Sequence, residues 1–127
     1  MKIGVPSEIK AQESRVGLTP LSVQELTNHG HEVLIQDNAG FGAGFENEDY
    51  QKAGAHIAPS AGDVFNDSDM IVKVKEPQSE EVSMLRENQL LFTYLHLSAA
   101  PELTKGLVES KSICIAYETV TDENNRL

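Results

Sequence analysis

The 127-residue chain is 39% hydrophobic and 24% charged, a balance that supports one packed domain and excludes a disordered segment. Ten Lys and Arg face 20 Asp and Glu, a formal net charge of −10, which argues against nucleic acid or an anionic membrane surface as partner. Phosphate binding needs clustered cations. The single cysteine, Cys114, excludes an internal disulfide and suits a reducing, cytoplasmic setting.

The opening Met-Lys-Ile-Gly-Val-Pro reads as a strand over residues 2–5, stopped by Pro6. Its apolar stretch is too short for a signal peptide, and no later run reaches the roughly 18 residues of a membrane span. Thr19 is placed to cap a helix with Pro20 at its first position, where a missing N–H costs nothing. That helix runs to Gly30, a residue suited to a left-handed cap. Residues 32–36 form a second strand, 40–45 a glycine-rich turn, 47–53 a helix closed by Gly54, and 56–58 a short strand. A helical turn over 61–66 precedes an apolar strand over 70–74. Ser79 then caps a helix whose Glu80 and Glu81 suit the positive end of the helix dipole. Residues 90–95 form another strand, Pro101 to Ser110 a helix, and 113–117 the last strand. Strands alternating with helices at this spacing predict an α/β fold, a doubly wound, mostly parallel sheet with helices on both faces. The polar tail 122–127 reads as a linker or exposed loop at which a longer chain was cut.

Open parallel sheets collect ligands beyond the C-terminal ends of their strands. Glu8, Glu13 and Arg15 follow the first strand, Lys75 and Glu76 the 70–74 strand, His96 the 90–95 strand, and Glu118 the last. Arg15, Lys75 and His96 would meet on one rim of an acidic protein. A guanidinium matches a carboxylate with paired hydrogen bonds. An ammonium polarises a carbonyl, and an imidazole exchanges a proton near neutral pH. Such a set serves a 2-oxo or 2-amino acid. Each residue also has a plainer reading. Arg15 is equally a surface cation, Lys73 and Lys75 on one side of an alternating strand can face solvent, His96 can be a structural histidine, and Tyr94 can be core. His29, His31 and His56 read as surface residues and Cys114 as inert core. The loop Gly40-Phe41-Gly42-Ala43-Gly44-Phe45 lies between a strand and a helix, as a dinucleotide loop would. It has Phe45 where the fingerprint needs a small residue, and no acidic residue ends a strand about 20 residues on. Asn66-Asp67-Ser68 matches a glycosylation sequon, with no other sign of secretion.

The opening MKIGVPSEIK with ESRVGLTP, then AGFGAGF, IVKVKEP, LLFTYLHL and IAYETV, resembles the N-terminal portion of alanine dehydrogenases over essentially the whole chain. The resemblance implies a Rossmann-like or flavodoxin-like substrate domain over residues 1–127. It further implies NAD-dependent, reversible oxidative deamination of L-alanine to pyruvate and ammonium. By match of motif, Arg15 would hold the substrate carboxylate, Lys75 would bind and polarise the substrate, His96 would be the acid/base, and Tyr94 would line the pocket. The NAD-binding Rossmann domain would lie outside this chain, leaving the fragment inactive alone, with an apolar surface that favours association. The resemblance also implies a full enzyme that is a homo-hexamer, as is typical of the family, though this fragment need not be one. Two other readings stand beside it. One is the N-terminal part of a nicotinamide nucleotide transhydrogenase α-type subunit, a relative with a similar fold in which the amino-acid site is not needed. The other is a stand-alone module that senses a 2-oxo acid.

Overall fold

Short apolar runs separated by helices leave each strand no neighbour within hairpin reach, so every strand returns through a crossover. The computed structural model describes residues 1–126; Leu127, the end of the polar tail, lies outside the described residues. The strands are β1 (Lys2–Val5), β2 (Glu32–Gln36), β3 (His56–Ala58), β4 (Met70–Val72), β5 (Leu90–Thr93) and β6 (Ile113–Ala116). The helices are α1 (Pro20–Asn28), α2 (Asn47–Lys52), α3 (Ala61–Asp67), α4 (Ser79–Val82) and α5 (Pro101–Ser110), with short 3-10 turns at Phe41–Ala43, Leu97–Ala99 and Tyr117–Thr119. The strands form one sheet in the order β3-β2-β1-β4-β5-β6, and each neighbouring pair is parallel. The doubly wound sheet expected from the alternation is therefore found, and it is parallel throughout.

Alternate side chains of the strands feed two cores. On one face Ile3, Val5, Val33, Ile35 and Val72 pack with Val23 of α1 and Tyr50 of α2. On the other, Ile71 and Leu91 pack with Val64 and Phe65 of α3 and Leu107 of α5. Winding runs outward from β1 to β3 on the first face, then recrosses through α3 to β4 on the second. The switch point thus falls between β1 and β4, where crevices form in this architecture. Gly4 permits this recrossing. A Cβ there would meet Ser68 Oγ and stand 2.7 Å from Val64 Cγ1, so only glycine lets α3 lie so close on β1. The Thr19 cap is formed, its hydroxyl accepting the Ser22 N–H at 3.2 Å, and Gly30 takes the left-handed conformation at φ +82°.

Three strands end earlier than their apolar runs do. β4 stops at Val72, β5 at Thr93 and β6 at Ala116, short of 74, 95 and 117. In the first two cases side-chain carboxylates take over the backbone donors that would have continued the ladder. A second correction concerns α4, whose cap is Gln78 and not Ser79. Glu81 does lie in the first turn, as expected, and its carboxylate reaches back to the Gln78 N–H at 2.8 Å, so it is buried inside the capping turn. Cys114, on edge strand β6, is half-buried rather than deep in the core, with its sulfur 3.4 Å from Ser112 Oγ.

Candidate functional site

The segments leaving β1, β4, β5 and β6 meet at the C-terminal edge of the sheet. At the switch point, Glu8 leaves β1 and crosses to the exit of β4. Its Oε1 accepts the Val74 N–H at 2.7 Å, and its Oε2 accepts the Lys73 ammonium at 3.1 Å, with the Lys75 N–H a weaker 3.4 Å from the same oxygen. Lys73 also donates to Glu81 Oε1 at 2.7 Å, and all three side chains are 1–2% exposed. The reading that Lys73 faces solvent is therefore overturned. The strand ends at Val72, and Lys73 is drawn inward as the counter-charge of two buried carboxylates. Burial pushes the Glu81 carboxyl above its ordinary range, against the pull of Lys73.

Lys75, two residues on, is half-exposed, with its Nζ 4.9 Å above the centre of the Tyr94 ring. This is cation–π distance, a contact that does not consume the ammonium's hydrogen-bond donors. The Tyr94 hydroxyl lies 3.0 Å from His96 Nδ1, and the two rings stack with centroids 5.8 Å apart. Nδ1 is thereby engaged, leaving Nε2 to exchange protons. Lys75, Tyr94 and His96 thus form one contiguous chain of contacts. His96 is exposed and sits in the left-handed region at φ 47° and ψ 48°, uncommon for a residue with a side chain.

Arg15 is held by Glu13. Nε donates to Oε1 at 2.9 Å, Nη2 to Oε2 at 2.7 Å, and the Arg15 backbone N–H to Oε1 at 3.0 Å. This pairing brings the Glu13 carboxyl down to about 2, with the Lys75 charge contributing in the same direction. The Nη1 edge of the guanidinium has no partner among the described residues and projects from a side chain that is 64% exposed. A cavity of about 260 Å³ beside it is lined by Ser7, Glu8, Glu13, Arg15, Asn38 and Gly42. A groove of about 480 Å³ between α4 and α5 carries Glu76 and Glu102 with apolar side chains, a lining that repels an anion.

Glu13 and Glu118 are parts of this edge to which composition and spacing assign no role, and the burial of Glu81 against Lys73 is equally unsignalled. The one available signal was the cluster of acids following strand ends. His29 and His56 are exposed as expected, whereas His31 is half-buried. The Gly40–Phe45 loop does not fit a dinucleotide. A Cβ on Gly40 would press on the Tyr50 ring at 2.6 Å and one on Gly42 on the Ser14 carbonyl at 2.9 Å, so these glycines make room for protein atoms. The helix that follows has only six residues and is capped by Glu46, whose own carboxylate would repel a phosphate. Among the described residues no three His, Cys, Asp or Glu side chains gather to hold a metal ion, and no helix is long and apolar enough to cross a membrane.

Fold and rim together define an open α/β domain with a candidate site for a small carboxylate at its strand ends. Residues 4–127 match the family model described as alanine dehydrogenase/PNT, N-terminal domain, and the chain belongs to that family. It is 53% identical over 121 residues to the alanine dehydrogenase of Halomonas elongata, covering 95% of this chain and 33% of that protein. The Bacillus subtilis alanine dehydrogenase is 51% identical over 122 residues, covering 96% and 32%. A solved L-alanine dehydrogenase superposes with a TM-score of 0.95 at 53% identity, over 99% of this chain and 35% of that one. A transhydrogenase from Sinorhizobium meliloti superposes with a TM-score of 0.87 at 25% identity, over 94% and 35%. The chain spans about a third of the length of these relatives.

Proposed function

We propose that residues 1–127 are the substrate-binding, catalytic N-terminal domain of a cytoplasmic, NAD-dependent L-alanine dehydrogenase. The reaction is the reversible conversion of L-alanine, water and NAD⁺ to pyruvate, ammonium, NADH and a proton. The observation that carries this reading is the Lys75–Tyr94–His96 contact chain at the C-terminal edge of the sheet. In the amination direction the free Nη1 edge of Arg15 binds the pyruvate carboxylate. Lys75 donates to the C2 carbonyl oxygen and supports the negative charge that grows there as ammonia attacks. His96 delivers a proton to that oxygen, so that it leaves the carbinolamine as water, and takes it back in the deamination direction. Tyr94 holds the ammonium on its face and the imidazole at its hydroxyl. NAD, the hydride acceptor in deamination, has no fitting loop in these residues and belongs to chain beyond this segment. The isolated segment therefore does not turn over.

The transhydrogenase reading is less well supported, because the transhydrogenase superposition has 25% identity against 53% for the alanine dehydrogenase and because this chain keeps both Lys75 and His96. Oligomerisation fits the exposed apolar side chains Val108 and Ile113, on the last helix and the edge strand. The full enzyme is expected to be a homo-hexamer. The test is alanine-dependent NAD reduction by the full chain. His96→Ala should lower kcat about 10²–10⁴-fold. Near-parental turnover in that variant would remove the acid/base role.

A further inference from the structure

We propose that Glu118 is the positioning residue of His96, a role that rests on the dehydrogenase reading above. The β5 ladder ends at Thr93, so the backbone donors of Leu95 and His96 have no strand to meet. Glu118, on the 3-10 turn that follows β6, fills that gap with one oxygen. Its Oε1 accepts the Leu95 N–H at 3.0 Å and the His96 N–H at 2.9 Å. Two successive N–H groups converging on one anion form a concave nest, which is compatible with the left-handed backbone of His96. Such a conformation costs a residue with a side chain free energy that its surroundings must offset. The backbone angles set the direction of Cβ, and with it the stacking of the imidazole on Tyr94 at an interplanar angle of 15°. Glu118 thus determines where Nε2 stands without touching the substrate.

The carboxylate is suited to this task. Burial opposes its ionisation, yet the amide donors of His96, Glu118 itself and Leu95 outweigh that cost and hold the carboxyl below its ordinary range. Oε2 is shielded from solvent and has no partner among the described residues. Only one oxygen of the group is in use, so a glutamine amide oxygen can replace it, and its NH₂ meets no opposing donor at the Oε2 position. Reach is the other requirement. An aspartate keeps the charge but withdraws the oxygen by one methylene.

Reach and charge are separated by three variants of the full chain, assayed with pyruvate, ammonium and NADH. Glu118→Gln should stay within about threefold of the parent in kcat and KM. Glu118→Asp and Glu118→Ala should lose about 10²-fold in kcat, the scale of a 1 Å misplacement, with KM for pyruvate nearly unchanged because Arg15 is untouched. Selective ¹⁵N labelling of histidine supplies a readout independent of turnover. The His96 amide should be protected from hydrogen exchange in the parent and in Glu118→Gln, and unprotected in Glu118→Asp. Parental kcat in Glu118→Asp, or a Gln variant as damaged as the Asp variant, would overturn the assignment, the latter by making the charge itself essential. His96→Ala in the same series isolates the underlying reading. If it stays fully active, the dehydrogenase role of His96 fails while the exchange data still judge the clasp.

Discussion

The two ends of the sheet meet the same requirement with opposite charges. At the N-terminal edge, carbonyls at the end of α3 need donors. Arg86 Nη2 reaches the Ser68 carbonyl at 2.7 Å, and Gln89 Nε2 reaches those of Phe65 and Ser68 at 2.7 and 2.8 Å. At the C-terminal edge, backbone N–H groups need acceptors, and Glu8, Glu13 and Glu118 supply them to Lys75, Arg15 and His96. The consequence is chemical. Arg86 spends its guanidinium on carbonyls, whereas carboxylates do the pairing at the other edge. Arg15 Nη1, Lys75 Nζ and His96 Nε2 are left without partners among the described residues. One end is closed as structure, and the other keeps its cations free for an anion in a chain of net charge −10.

That contrast can be broken at graded strength. The largest stability effect is expected at Lys73→Met, which keeps volume but strands the Glu8 and Glu81 carboxylates in the interior. Urea unfolding should report a loss of about 3–5 kcal/mol. Lys75→Met, two residues away, should leave the urea midpoint nearly unchanged and lower kcat of the full chain about 10²–10³-fold. If both lysines weighed equally on stability, the division between buried counter-charge and free cation would be lost. Arg86→Ala is expected to cost about 1–2 kcal/mol with kcat and KM for pyruvate unaltered, since its carbonyl partners lie at the opposite edge. A change in KM there would mean that the two ends are coupled.

The smallest effect lies in pH. The folded-state carboxyl of Glu13 titrates at about 2, below its ordinary range. Its contribution to stability is therefore complete above roughly pH 4.3, the unfolded value, and fades as pH falls from there toward 2. In Glu13→Gln that portion of the acid unfolding profile should flatten, as measured by circular dichroism. An unchanged slope would show that the Arg15–Glu13 pair is not maintained in solution.

The primary structure by itself determined the sheet and its cores. Isolated apolar runs such as Ile-Val before Lys73 and Leu-Leu-Phe before Thr93 name strands whatever surrounds them, and Thr19-Pro20 and Pro101 mark helix starts through backbone chemistry that is local. It also brought Arg15, Lys75 and His96 to strand ends, because a parallel sheet delivers every exit to one edge. The fates of Lys73 and Lys75 were decided only in three dimensions. Their identical type and alternate spacing cannot distinguish them, since the carboxylates that draw the first inward are Glu81 and Glu8, the latter 65 residues away. The same holds for the left-handed turn at His96, which depends on a carboxylate 22 residues further along. Periodicity reports which way a side chain faces within an element. Where the ladder stops, long-range partners take over, and only the folded chain reveals which acid meets which donor.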